Sequence, residues 1–186
     1  MKKFLLLVAL AIVSTGVTNA QIKLGVKGGV NFATTSDSQT ETLTAFNAGI
    51  FAQIKVPVVG LAVQPEVLYS LQGAKFSGGD SKTTLGYVAI PVMVQYSFKV
   101  IPGFNIEVGP QFGFLMSAKS KIGSGKANDI KDGMNDTEVA LNFGAGFKLP
   151  VIPLGIFARY SMGLTEIGKS GDVKNRVAQL GAMYYF

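Results

Sequence analysis

The chain of 186 residues holds no histidine and no cysteine, which removes the commonest general base, metal ligand and thiol nucleophile together. What remains that could do chemistry is a set of charged residues set singly into apolar, glycine-rich stretches: Lys23, Lys27, Lys55, Glu66, Glu107, Glu138, Lys148 and Arg159. Five bases against three acids nearly balance. Glu66 and Glu107 fall at heights where Lys27 and Arg159 can reach them, so these four are expected to form one ion-paired network, with Gln111 and Asn142 as polar members beside it. No Ser, Asp or Glu pairing stands in for the missing histidine, so no catalytic, cofactor or metal site is expected. The most acidic stretch carries Asn128, Asp129, Asp132, Asn135 and Asp136. Its spacing departs from the Asp-x-Asx-x-Asx-Gly plan of a calcium loop and Lys131 interrupts it, so a solvated loop is expected.

The elements that must position these charges are short segments of period-two alternation, eight in number from Gln21 onward. In the first, Ile22, Leu24, Val26, Val30 and Phe32 oppose Lys23, Lys27 and Asn31. In the second, Phe46, Ala48, Ile50, Ala52, Ile54 and Val56 oppose Asn47, Gly49, Gln53 and Lys55. The fifth is the clearest, with Phe104, Ile106, Val108, Phe112, Phe114 and Met116 against Asn105, Glu107, Gly109, Gln111, Gly113 and Ser117. Such alternation places successive side chains on opposite faces of a strand. An even number of strands of about 10 to 13 residues fits an all-β, eight-stranded antiparallel transmembrane barrel, wound as a meander.

Connector lengths alternate as well. Short, Pro/Gly-marked turns follow the even strands (Pro57 to Gly60, Lys99 to Gly103, Pro150 to Pro153). Longer polar loops follow the odd ones (about Thr34 to Thr44, Ala74 to Thr83, Ala118 to Asp136, Thr165 to Lys174). That asymmetry is the periplasmic and extracellular one of outer-membrane barrels, and it puts both termini in the periplasm. A soluble lipocalin-type barrel also alternates, with its apolar set inside. Here the polar set is half glycine and too meagre to face solvent, so the apolar set is expected to face lipid. Tyr69, Tyr96, Phe98, Phe104, Tyr160 and Tyr184 fall near strand ends, where aromatic girdles belong. Pro65, Pro91 and Pro110 fit poorly inside strands that have no free edge, and local bulges are expected there.

Residues 1–20 follow the plan of a cleaved signal peptide: Lys2 and Lys3, an apolar run from Phe4 to Val13, and small residues ending at Ala20. Residues 21–186 then form one barrel domain. The net charge of +6 includes those two lysines, leaving about +4 on scattered residues. Scattered bases give no nucleic-acid footprint.

Two resemblances add to this. The ending Gln179-Leu-Gly181-Ala-Met-Tyr184-Tyr-Phe186 resembles the C-terminal signal read by the barrel-assembly machinery of the outer membrane. Gly25-Val-Lys27-Gly28-Gly29-Val-Asn31-Phe32, Gln64-Pro65-Glu66-Val-Leu-Tyr69-Ser, Ile90-Pro91-Val92, Glu107-Val-Gly109-Pro110-Gln111 and Arg159-Tyr160-Ser-Met-Gly163-Leu164 resemble the outer-membrane beta-barrel domain family common in Bacteroidetes. These chains are often labelled "porin family" or PorT-like, and are OmpX/OmpA-like in size. The resemblance spans residues 21–186 and makes the in-strand prolines a family habit. It implies the outer membrane of a Gram-negative bacterium, and roles that range from secretion to adhesion.

The expectation is a monomeric, non-enzymatic barrel without cofactor, acting structurally or by binding through its extracellular loops. Outer-membrane enzymes of this shape rely on a histidine base, which is missing. Its expected partners are outer-membrane lipid and lipopolysaccharide (whose phosphates Lys119, Lys121 and Lys126 could meet), the assembly machinery, and an extracellular or secretion-system protein. The alternatives are a narrow ion or small-solute channel and an accessory barrel of a secretion system. An eight-stranded barrel is just wide enough for side chains to fill, so a salt-bridged plug is expected in the lumen.

Overall fold

The computed structural model describes residues 21–37, 40–56, 60–76, 81–122, 125, 127–169 and 173–186; the expected signal peptide, residues 1–20, lies outside them. Eight long strands carry the chain: β1 (Gln21–Thr35), β2 (Leu43–Val56), β3 (Leu61–Phe76), β4 (Lys82–Ser97), β5 (Phe104–Lys121), β6 (Thr137–Lys148), β7 (Leu154–Gly163) and β8 (Asn175–Tyr185). Each pairs antiparallel with the next, and β1 pairs with β8 from Gly25↔Tyr185 to Thr35↔Asn175. The sheet therefore closes on itself, so no strand presents an edge.

The alternation sorts as its spacing dictates, and burial decides the direction. Ile22, Ile50 and Ile156 are 62%, 59% and 58% exposed, whereas Asn31, Gln64 and Asn142 are each 0% exposed. Polar groups line the interior and apolar ones the outer wall, the inverse of a lipocalin. Aromatic side chains ring one end of that wall. Tyr96 packs edge-on against Phe98 with centroids 5.0 Å apart, and Phe98 against Phe104 at 5.6 Å.

Two expectations are corrected. The prolines do not cause bulges. Pairing lapses opposite Pro65, Pro91 and Pro110, yet the register is the same on both sides of each gap. Neighbouring strands simply leave two consecutive pairs unmade beside each ring nitrogen, which has no proton to give, and then resume. The register shifts instead between Gly86 and Tyr87, which face Ser117 and Leu115. The strands are also longer than the periodicity suggested, reaching 18 residues in β5. About 9–11 residues cross the hydrocarbon, so the rest projects beyond it. Parts of the expected loops Ala74 to Thr83 and Ala118 to Asp136 are thus paired strand, with Lys75↔Lys82 and Lys82↔Lys121 in register.

At the short-turn end, Gly60 (φ 71°) and Gly103 (φ 89°) occupy the left-handed region that side chains avoid. Their carbonyls accept from Ser97 N and Lys148 N, 2.8 Å each, and tie the turns to adjacent strands.

Candidate functional site

The interior of the barrel is built around one guanidinium. Arg159 points inward from β7; its Nη1 and Nη2 donate to the two Glu66 oxygens at 2.9 and 2.8 Å, and its Nε donates to Glu107 Oε1 at 2.8 Å. Lys27 Nζ, from β1, lies 3.1 Å from both Glu66 oxygens and 3.9 Å from the centroid of the Phe157 ring. All four charged groups are buried. They come from β1, β3, β5 and β7, and two cations meet two anions with no charge left over.

Three amides complete a closed circuit. Gln53 Nε2 donates to Gln95 Oε1 (2.7 Å) and more weakly to Gln64 Oε1 (3.3 Å). Gln64 Nε2 donates to Glu66 Oε1 (2.8 Å), and Gln95 Nε2 to Glu107 Oε2 (2.9 Å). The circuit Gln53–Gln95–Glu107–Arg159–Glu66–Gln64 spans the lumen from wall to wall. Charge-assisted bonds of this kind are the strong ones, and burial raises both their strength and the cost of breaking one.

The other predicted lumen residues lie apart from this circuit. Asn142 Nδ2 donates to Gln111 Oε1 at 3.3 Å, a separate pair with no hydrogen bond to the four charges. Glu138 accepts from Asn175 Nδ2 at 2.7 Å and has no cation partner among the described residues. Lys23, Lys55 and Lys148 gather at the short-turn mouth. Lys148 sits close beside the other two, with its Nζ 4.1 Å above the Tyr185 ring. No carboxylate among the described residues pairs with them.

Sequence reasoning overlooked two further groups. Gln53, Gln64 and Gln95 were legible as inward-facing but not as bridges between the charges. Phe51 and Phe157 were missed altogether. They turn inward with Met183 and Tyr185 as an apolar layer. Glycine makes the room: Phe51 lies over Gly25 and Phe157 over Gly181. A phenylalanine in phase with the polar row Asn47, Gly49 and Gln53 was the available signal.

Residues 18–168 match the family described as outer membrane protein beta-barrel domain. The chain belongs to that family. Among curated proteins none matches the sequence. Among solved structures, the barrel is similar to Neisserial surface protein A (NspA), with a TM-score of 0.55 at 12% identity, covering 90% of this chain and 99% of that one. It is similar to Ail, the attachment invasion locus protein of Yersinia pestis, with a TM-score of 0.55 at 16% identity, covering 88% and 98%. At such identities the likeness is one of fold. The protein is an outer-membrane β-barrel of a Gram-negative bacterium, and its short-turn end is periplasmic.

The extracellular end of this outer-membrane barrel is covered by its own loops. Met134 bridges Gly168, Asn135 Nδ2 donates to the Glu166 and Gly168 carbonyls (3.0 and 3.1 Å), and Lys169 N donates to Gly133 O (3.0 Å). The β5–β6 and β7–β8 loops are thereby zipped into one cap. Ile167, Met134, Ile130 and Val173 pack onto Leu85, Tyr87, Leu115 and Ala118 at the top of the lumen. Asp129 accepts from Lys131 N (2.9 Å), and no group of three or more His, Cys, Asp or Glu is gathered among the described residues. In the final strand, Gln179 is buried in the lumen, and Gly181 lies beside Phe157. Tyr184 and Phe186 meet edge-on at the outer wall, with centroids 5.6 Å apart.

Proposed function

We propose that this barrel is a non-catalytic binding or adhesion protein that works through its extracellular cap, with a lumen closed to ions. The observation that carries the reading is the charge-matched circuit through Arg159. Each oxygen of the two carboxylates and each guanidinium nitrogen is used internally, so a passing ion would have to displace bonds that water cannot cheaply replace. A channel would line its path with groups free to exchange partners. The apolar cluster beneath the cap adds a second barrier above the circuit. Exposed, rigidly held loop surface is what remains for recognition.

The test is conductance across a planar bilayer, with refolded barrels whose insertion is verified by a heat-dependent shift in gel mobility. Silent inserted barrels support the reading. Steady conductance that changes with Glu66→Gln overturns it and makes the lumen a path.

A further inference from the structure

The outer wall carries lysines where a barrel has no internal use for them. Lys75 on β3, Lys82 on β4 and Lys121 on β5 stand side by side in register. One step nearer the membrane, Lys119 stands beside Thr84. The alternate residues Ala74, Phe76 and Thr83 line the cavity at the mouth, which places Lys75 and Lys82 on the outer face, and residues paired across antiparallel strands share a face. Like charges directly opposite one another destabilise a sheet, and Lys82 has a lysine on both sides. Glu41 faces Lys75 and Asp129 faces Lys119 at the two margins, yet none of the four lysines makes an ion pair among the described residues.

What lies beneath the row gives its setting. Descending the same wall, the Tyr69 hydroxyl and Ser117 Oγ close over Gly86 and fill the space a side chain would take. Below that come Val88, Ile90, Phe112 and Phe114, paired across β4 and β5. The order from below is hydrocarbon-facing side chains, hydroxyls at the level where amphipathic rings sit, then lysines. That is the order of chemical groups in an outer-leaflet lipid: acyl chain, sugar or glycerol, phosphate.

We propose that Lys82, flanked by Lys75 and Lys121 and with Lys119 below, binds the phosphate of an outer-leaflet lipid headgroup on the external face of the barrel. The anion relieves the repulsion within the row, and the acyl chains lie along the apolar wall beneath the two hydroxyls. The site is independent of the lumen.

The experiment uses the refolded full barrel in a maltoside detergent, with diphosphoryl lipid A as the probe and retention read by native mass spectrometry. The wild-type barrel retains the lipid, and the pair Lys82→Gln with Lys121→Gln weakens retention about tenfold or more, as expected for removing two surface cations from an anionic lipid. Lys99→Gln, in an exposed periplasmic turn, leaves it unchanged. Equal retention of lipid A stripped of both phosphates overturns the proposal, as does equal loss in the Lys99 variant. The wild type supplies a readout that needs no variant: lipid A protects Lys82 from acetylation while leaving Lys99 reactive. Equal labelling of both lysines with and without lipid A overturns it as well.

Discussion

The charges inside this barrel and those on its outer wall obey opposite rules. Within the lumen, Lys27, Glu66, Glu107 and Arg159 are buried and matched two against two. On the wall, Lys75, Lys82 and Lys121 stand in one row without an acid between them. A buried charge without a partner costs several kcal/mol, whereas an exposed one costs little and remains free to meet something else. The difference separates charges that hold the protein together from charges that address its surroundings.

The sharpest way to break that comparison is Arg159→Met. It leaves Glu66 and Glu107 with Lys27 as their sole cation, and a destabilisation of about 3–5 kcal/mol is expected. The urea midpoint of the refolded barrel, followed by gel mobility, measures it; an unchanged midpoint would place the four charges among those that do not matter to stability. Gly25→Ala tests the layer below. The new Cβ would stand 2.6 Å from Phe51 Cε1 and press on the Tyr184 carbonyl, so a loss of about 1–3 kcal/mol is expected from overpacking in the same assay. The smallest effect belongs to the outer row. In zwitterionic detergent, Lys82→Gln should raise stability by about 0.5 kcal/mol through relief of cross-strand repulsion. A clear loss there would show the row to be structural and erase the contrast.

Much of the barrel was legible because a strand in a membrane has a two-state environment. Each residue meets either lipid or lumen, and the period of two reports which. Lys27, Glu66, Glu107 and Arg159 could be singled out because charges within apolar rows have few places to go. What the pattern could not supply was reach across the lumen. Gln111 and Asn142 share the inward face with Arg159, yet bond to each other, while Gln53, Gln64 and Gln95 close the circuit. That choice depends on strand stagger, which alternation does not encode. Phe51 and Phe157 were lost for a related reason. Their hydrophobicity clashed with the polar row they are in phase with, so they were placed on neither face, and the glycines opposite them, which make the interior roomy, lie far away in sequence. The prolines misled because a missing donor suggested a bulge, whereas leaving two successive pairs unmade keeps the register intact.

The circuit through Arg159 also bears on how the barrel comes to be shut. Its charged members sit on β1, β3, β5 and β7, so no hairpin and no pair of adjacent strands contains a matched set. A slip of one residue in any of these strands would turn its charge outward into lipid. Lys27 with Glu66, and Arg159 with Glu107, meet across a single intervening strand, but Arg159 reaches Glu66 on the opposite wall only when the sheet has curled shut. The interior thus acts as a proofreading lock on assembly: a misregistered strand turns a charge into lipid, and an unclosed sheet lacks the bidentate pair that joins the two walls.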